Sequence, residues 1–207
     1  MKASIAALTG VLLLAGCPWA LAASSVDLAV TGAITPSACL PSISNDGTVD
    51  YGKISMQDLD DFGTALLPAT FKLAVSCDSP SLFGLYSIDN NHPDGGIYFA
   101  MGFTSPTWWI ANFSLITRNV IADNQNVHAI YSKDNGASWE AYPTIQNWYP
   151  RTLLAFAKTL TGQLAPTPVK DVSLDMLVSP TIFSKHLIPT GETISLDGSA
   201  TLELRYL

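Results

Sequence analysis

Val26-Asp27-Leu28-Ala29-Val30-Thr31-Gly32-Ala33-Ile34 alternates its larger apolar positions with small or polar ones at a period of two. The far end of the chain does the same through Ile194, Leu196, Gly198, Ala200, Leu202, Leu204 and Tyr206. That period places every second side chain on one face of an extended strand, so both stretches read as half-buried β-strands. Chain ends fray unless something ties them down. Two ends that both look built for pairing point to a β-sandwich whose termini take part in assembly.

Between them, short β-type runs recur. They cover Val49–Ile54, Thr70–Cys77, Leu82–Ile88, Ile97–Phe103, Trp109–Ile116, Val127–Tyr131, Leu153–Leu160 and Val172–Leu177. Asn45-Asp46-Gly47, Asn90 to Gly96, Asp134-Asn135-Gly136, Pro166-Thr167-Pro168 and Pro189-Thr190-Gly191 supply turn chemistry between them. Gln57–Leu66 is the one stretch that suggests a helical turn, and Leu153–Leu160 is apolar enough to fit strand or helix. Regular short strands without long helical periodicity predict an all-β sandwich. No charge run, low-complexity tract or repeat marks a boundary, so residues 23–207 read as one domain.

The start has secretory chemistry. Lys2, an apolar run over Ile5–Leu14 and then Ala20-Leu21-Ala22 make a signal peptide of residues 1–22. Leu14-Ala15-Gly16-Cys17 also resembles a lipoprotein acylation site, which leaves anchoring at Cys17 as an alternative; Pro18 and the good site just downstream favour ordinary cleavage. The whole chain has 10 basic and 17 acidic side chains. Losing Lys2 leaves nine against seventeen, or −8, and no basic cluster, which argues against nucleic acid and anionic membrane surfaces. Only 13% of residues are charged, which fits a large core or extra surface buried against a partner. The mature chain keeps Cys39 and Cys77. In an oxidising compartment an even pair reads as one disulfide, and a loop of this length gives about 3–4 kcal/mol of stabilisation. Two cysteines without neighbouring histidines do not make a zinc site.

Four features together resemble the pilin subunits of the bacterial chaperone–usher pathway, and most closely the fimbrial-like periplasmic proteins of such systems. Gly32-x-Ile34 precedes Cys39; Val49-Asp50-Tyr51-Gly52-Lys53-Ile54 follows it; Phe71-Lys72-Leu73-Ala74-Val75-Ser76-Cys77 carries the second cysteine; Tyr206 is penultimate on an alternating strand. The resemblance implies an immunoglobulin-like sandwich lacking its last strand. Its groove would be filled first by a periplasmic chaperone, then at the outer-membrane usher by the N-terminal strand of the next fimbrial subunit. Pairing of this kind takes affinity from main-chain hydrogen bonds and specificity from alternate side chains. Residues 23–35 would be the donor, inserting Val26, Leu28, Val30 and Ile34, with Gly32 where the groove is too shallow for a side chain. Ala200, Leu202, Leu204 and Tyr206 would line the groove and meet the chaperone. The protein would then reside in the periplasm or in a fimbrium.

The middle of the chain departs from a simple shaft subunit. Residues 89–150 hold Trp108, Trp109, Trp139 and Trp148. Aromatic platforms beside Asn and Asp can stack on sugars, so Trp108, Trp109 and Trp148 are candidate glycan contacts; burial in the core is the ordinary fate of such rings. Ser132-Lys133-Asp134-Asn135-Gly136-Ala137-Ser138-Trp139 matches an Asp-box, whose single copy predicts a structured hairpin. His92, His128 and His186 are scattered, and no nucleophile or metal motif surrounds them. The oxygen-rich loops at 89–94 and 123–126 lack EF-hand spacing and read as turns. No enzyme activity, metal or cofactor is expected. The competing expectation is a self-contained binding module, such as a carbohydrate-binding adhesin, that does not polymerise.

Overall fold

The computed structural model describes residues 38–207 apart from 94–95, 106–107, 144–146 and 192. The predicted signal, Cys17 and the donor positions Val26, Leu28, Val30, Gly32 and Ile34 lie outside the described residues. Twelve strands are found among those described: β1 (Cys39–Ile43), β2 (Thr64–Ala65), β3 (Ala69–Ser81), β4 (Phe83–Asp89), β5 (Phe99–Ser105) and β6 (Trp108–Ala122), then β7 (Gln125–Asn126), β8 (His128–Ser132), β9 (Glu140–Ala141), β10 (Leu153–Ala157), β11 (Val169–Ile182) and β12 (Ala200–Tyr206). No α-helix occurs among the described residues.

The strands form two antiparallel sheets. One runs β1-β3-β11-β6-β5, with β2 on β11 and β7 on β6; the other runs β12-β4-β10-β8-β9. Alternation on β3 sends Phe71, Leu73, Val75 and Cys77 inward while Lys72 and Ser76 face water. The inward residues of β11 (Val172, Leu174, Met176) and β6 (Phe113, Leu115) continue that face, and Phe83, Leu85, Leu154 and Phe156 meet them from the second sheet. Phe99 stacks on Phe113 at 4.9 Å, and Phe83 meets Phe156 edge-on at 5.8 Å. The fold is therefore the all-β sandwich that the alternation predicts. Its one disulfide joins Cys39 to Cys77, which are paired across β1 and β3.

Strand β10 settles the ambiguous apolar run over 153–160. All five of its residues are buried, because both of its faces are covered. Leu154 and Phe156 enter the main core, while Ala155 and Ala157 join Ile130 in a smaller cluster beneath Trp139 and Leu164. A strand buried on both faces reads as a continuous apolar run.

One expectation fails locally and another holds only in part. Val49–Ile54 is not a strand: the Gly52 N–H donates to Asp50 Oδ1 at 2.7 Å and Gly52 takes φ +62°, so the side chain of Asp50 turns the backbone there. Gln57–Leu66 holds a helical turn only at its start. A single 3-10 turn over Met56–Asp58 is capped by Ser55, whose hydroxyl accepts from Gln57 N–H, and β2 follows.

Candidate functional site

Among the described residues, strand β1 pairs only with β3 and β12 pairs only with β4, so each sheet ends on one side at the first or the last described strand. These two edges are tied at one end, where the Cys39 N–H donates to the Tyr206 hydroxyl at 3.0 Å. From there a largely apolar cavity of about 600 Å³ runs between the sheets. Its floor is Phe71, Leu73, Phe113, Leu115, Met176, Val178 and Pro180, all inward positions of β3, β6 and β11. One wall is Pro41, Ile43 and the segment through Val49 to Tyr51. The other wall is Leu196, Gly198, Ala200 and Leu202.

The wall chemistry follows from local sequence. On β12, Ala200, Leu202 and Leu204 are half-buried while Thr201 and Glu203 face water, so the C-terminal alternation is real. Those three pack against the main core without being enclosed by it. Just before β12, Gly198 bridges to Met101 of β5. A Cβ on Gly198 would lie 2.9 Å from Phe113 Cε1 and 3.0 Å from Met101 Cβ, so only glycine lets the wall come this close to the floor.

Of the predicted groove residues, Ala200 and Leu202 line the cavity; Leu204 packs on the core outside it, and Tyr206 contributes the tie. The predicted strand over 194–206 pairs as a ladder only from Ala200 onward. Sequence reasoning missed the opposite wall. Cys39-Leu40-Pro41-Ser42-Ile43 carries a proline and no clean alternation, and its strand character comes from pairing with Cys77 through Leu73.

The aromatic candidates separate. Trp148 is 1% exposed, and its indole N–H donates to the Thr152 carbonyl at 3.3 Å. That corrects its assignment as a ligand platform, because a ring enclosed by core atoms offers no face to a sugar. Trp108 is half exposed. Trp109 lies against His92 at 4.8 Å and Phe103 at 6.1 Å. A shallow depression nearby is lined by Asn90, Asn91, Phe103, Thr104 and Ser105.

The Asp-box closes the β8–β9 hairpin. Asp134 Oδ1 accepts from Ser132 Oγ (2.7 Å) and Ser138 N–H (2.9 Å), while Asn135 and Gly136 take positive φ. The two serine hydroxyls and the Ser138 amide pull the Asp134 carboxyl down to about 2. Trp139, at its end, covers the β10 cluster. The oxygen-rich loops are turns as well. The buried Asp89 carboxylate accepts from the N–H groups of Asn91, His92 and Ala100, and Asp123 Oδ1 accepts from Lys170 and Asp171 N–H. Among the described residues no group of three or more His, Cys, Asp or Glu side chains is placed to hold a metal ion.

The chain is similar to the protein GltF of Escherichia coli strain K12, 24% identical over 238 aligned positions that cover 91% of each chain. Residues 28–141, more than half of the sequence and including β1, the disulfide and much of the groove floor, match the family described as "Protein of unknown function (DUF1120)", and the chain belongs to that family.

Proposed function

We propose that this protein is a fimbrial or fimbrial-like subunit that assembles by strand complementation: Val26–Ile34 of one copy fills the groove between β1 and β12 of another. The observation that carries this reading is an apolar cavity lying between β1 and β12, two strands whose outer edges have no partner among the described residues. Unpaired edges are templates for another chain, and a groove with alternating wall residues suits a strand with alternating side chains. The cavity wall from Leu196 to Leu202 covers seven positions, about 20 Å if extended, against about 27 Å for nine extended residues, so the wall accommodates most of the donor segment and leaves its remainder to run past the groove mouth. On this reading a periplasmic chaperone covers the groove before assembly at an outer-membrane usher, in keeping with the resemblance to chaperone–usher pilins.

A second reading rests on the exposed Trp108 and on Trp109, which lies against Phe103 of the depression that also holds Asn90 and Asn91. There the protein is a binding module for a glycan, whether or not it polymerises.

The deciding experiment adds a synthetic Ser24–Thr35 peptide to the purified mature protein and follows native mass and thermal melting. A slow one-to-one complex with a large rise in melting temperature is expected. A stable monomer that ignores the peptide would rule out an open groove and turn attention to Trp108 and Trp109.

A further inference from the structure

Three apolar side chains stand in water at one end of the groove. Phe62 is 100% exposed, Leu67 83% and Leu187 47%. Their backbone is pinned to the groove: Leu66 N–H donates to the Pro180 carbonyl at 3.0 Å, and the Tyr51 hydroxyl donates to the Leu67 carbonyl at 2.8 Å. Pro180 and Tyr51 both line the cavity. The turn bearing Leu187 is held to the same segment, since Lys185 N–H donates to the Asp60 carbonyl and its ammonium pairs with Asp61 at 2.8 Å. This lip therefore continues the groove at the end opposite the tie between Cys39 and Tyr206.

Resting on the strand-complementation reading, we propose that the lip of Phe62, Leu67 and Leu187 is the docking surface for the folded body of the copy that donates its N-terminal strand. The tie at Tyr206 blocks one end, so the donated strand connects to its own body through the Pro180 end. Five residue steps separate Ile34 from Cys39, where the described strands begin. They reach at most about 17 Å. A domain of this size has a radius of gyration near 16 Å and an outer radius larger still. A tether that short holds the donor's body against the groove mouth. An apolar lip that single molecules leave in water gains cover from that contact.

The test combines Phe62→Ser and Leu67→Ser in the mature protein. Both side chains are exposed, so circular dichroism should be unchanged. Binding of the isolated Ser24–Thr35 peptide should also be unchanged, because the peptide carries no body. Association of full-length copies, followed by sedimentation, should weaken by roughly tenfold, the loss typical of central interface side chains. Association as tight as the parent's, with the peptide still bound, would overturn the lip while leaving strand complementation standing. Failure of the peptide to bind the parent would overturn both. As a second measurement, a photo-crosslinking residue at position 62 should join two copies covalently in the assembled material, and absence of that dimer counts against the proposal.

Discussion

Gly198→Ala is the most demanding test of the groove geometry, because one methyl group is asked to disturb both packing and binding. Gly198 does not have a positive φ, so alanine meets no backbone strain there. Shortening the entropy of the unfolded chain would by itself stabilise the protein by about 0.4–1 kcal/mol. Opposing this, the new Cβ would sit 2.9 Å from Phe113 Cε1 and 3.0 Å from Met101 Cβ. Neither neighbour can swing away: the Met101 Cβ is fixed to strand β5, and the Phe113 ring is stacked on Phe99. Overpacking of this kind costs about 1–3 kcal/mol, so the steric term wins by about 1–2 kcal/mol. For a domain of this length the thermal midpoint should fall by about 2–8 °C. The assay is thermal and urea unfolding of the mature protein, repeated with the Ser24–Thr35 peptide. Because Gly198 and Phe113 both line the cavity, peptide affinity should fall together with stability. A midpoint unchanged or raised, with peptide binding intact, would show that the wall and floor are not as close as described.

Other expectations are simpler to state. Cys39→Ser should lower stability by about 3–4 kcal/mol through the lost cross-link, read as a drop in urea midpoint; an equally stable variant would contradict the disulfide's role. Asp134 titrates at about 2, below the ordinary carboxyl value of 3.8, so its contribution to the hairpin is present above the unfolded value and is lost as pH falls through about 2. Carboxyl-carbon NMR should find that midpoint, and a value near 3.8 would mean the serine hydrogen bonds do not hold in solution. Gly32→Leu in the donor segment should abolish assembly without changing the melting of the monomer, and normal polymers from that variant would remove strand complementation from consideration.

Much of the fold was legible because burial on one face of a strand writes itself as alternation. Phe71, Leu73, Val75 and Cys77 do so, as do Ala200, Leu202 and Leu204. What misled was chemistry that imitates alternation for other reasons. Val49 and Tyr51 are apolar because they line a cavity, and Asp50 bends the backbone between them. Strand β1 gave little local signal because it is created by its neighbour, β3, and by the disulfide. The tryptophans carried no positional information at all. Trp148 and Trp108 look alike in sequence, yet one is enclosed and the other stands in solvent. The groove itself was out of reach of local reading, since its walls are 145 or more residues apart along the chain.

That separation bears on when the structure can form. Cys39 and Tyr206 are 167 positions apart, and β12 pairs with β4 at a distance of 111 between Ala200 and Asp89. Ladders closed over such spans are slow to form, since the loop entropy is lost before the pairing contributes. Synthesis from the N-terminus delivers β12 last. Until it arrives, β4 has a bare edge toward the groove, Phe83 and Leu85 lack their neighbours, and the opposite wall has nothing to tie to. The most aggregation-prone moment in the life of this protein is therefore the interval between the emergence of β4 and that of the last seven strand residues, and a helper that held the β4 edge during that interval would act on folding before it had any groove to protect.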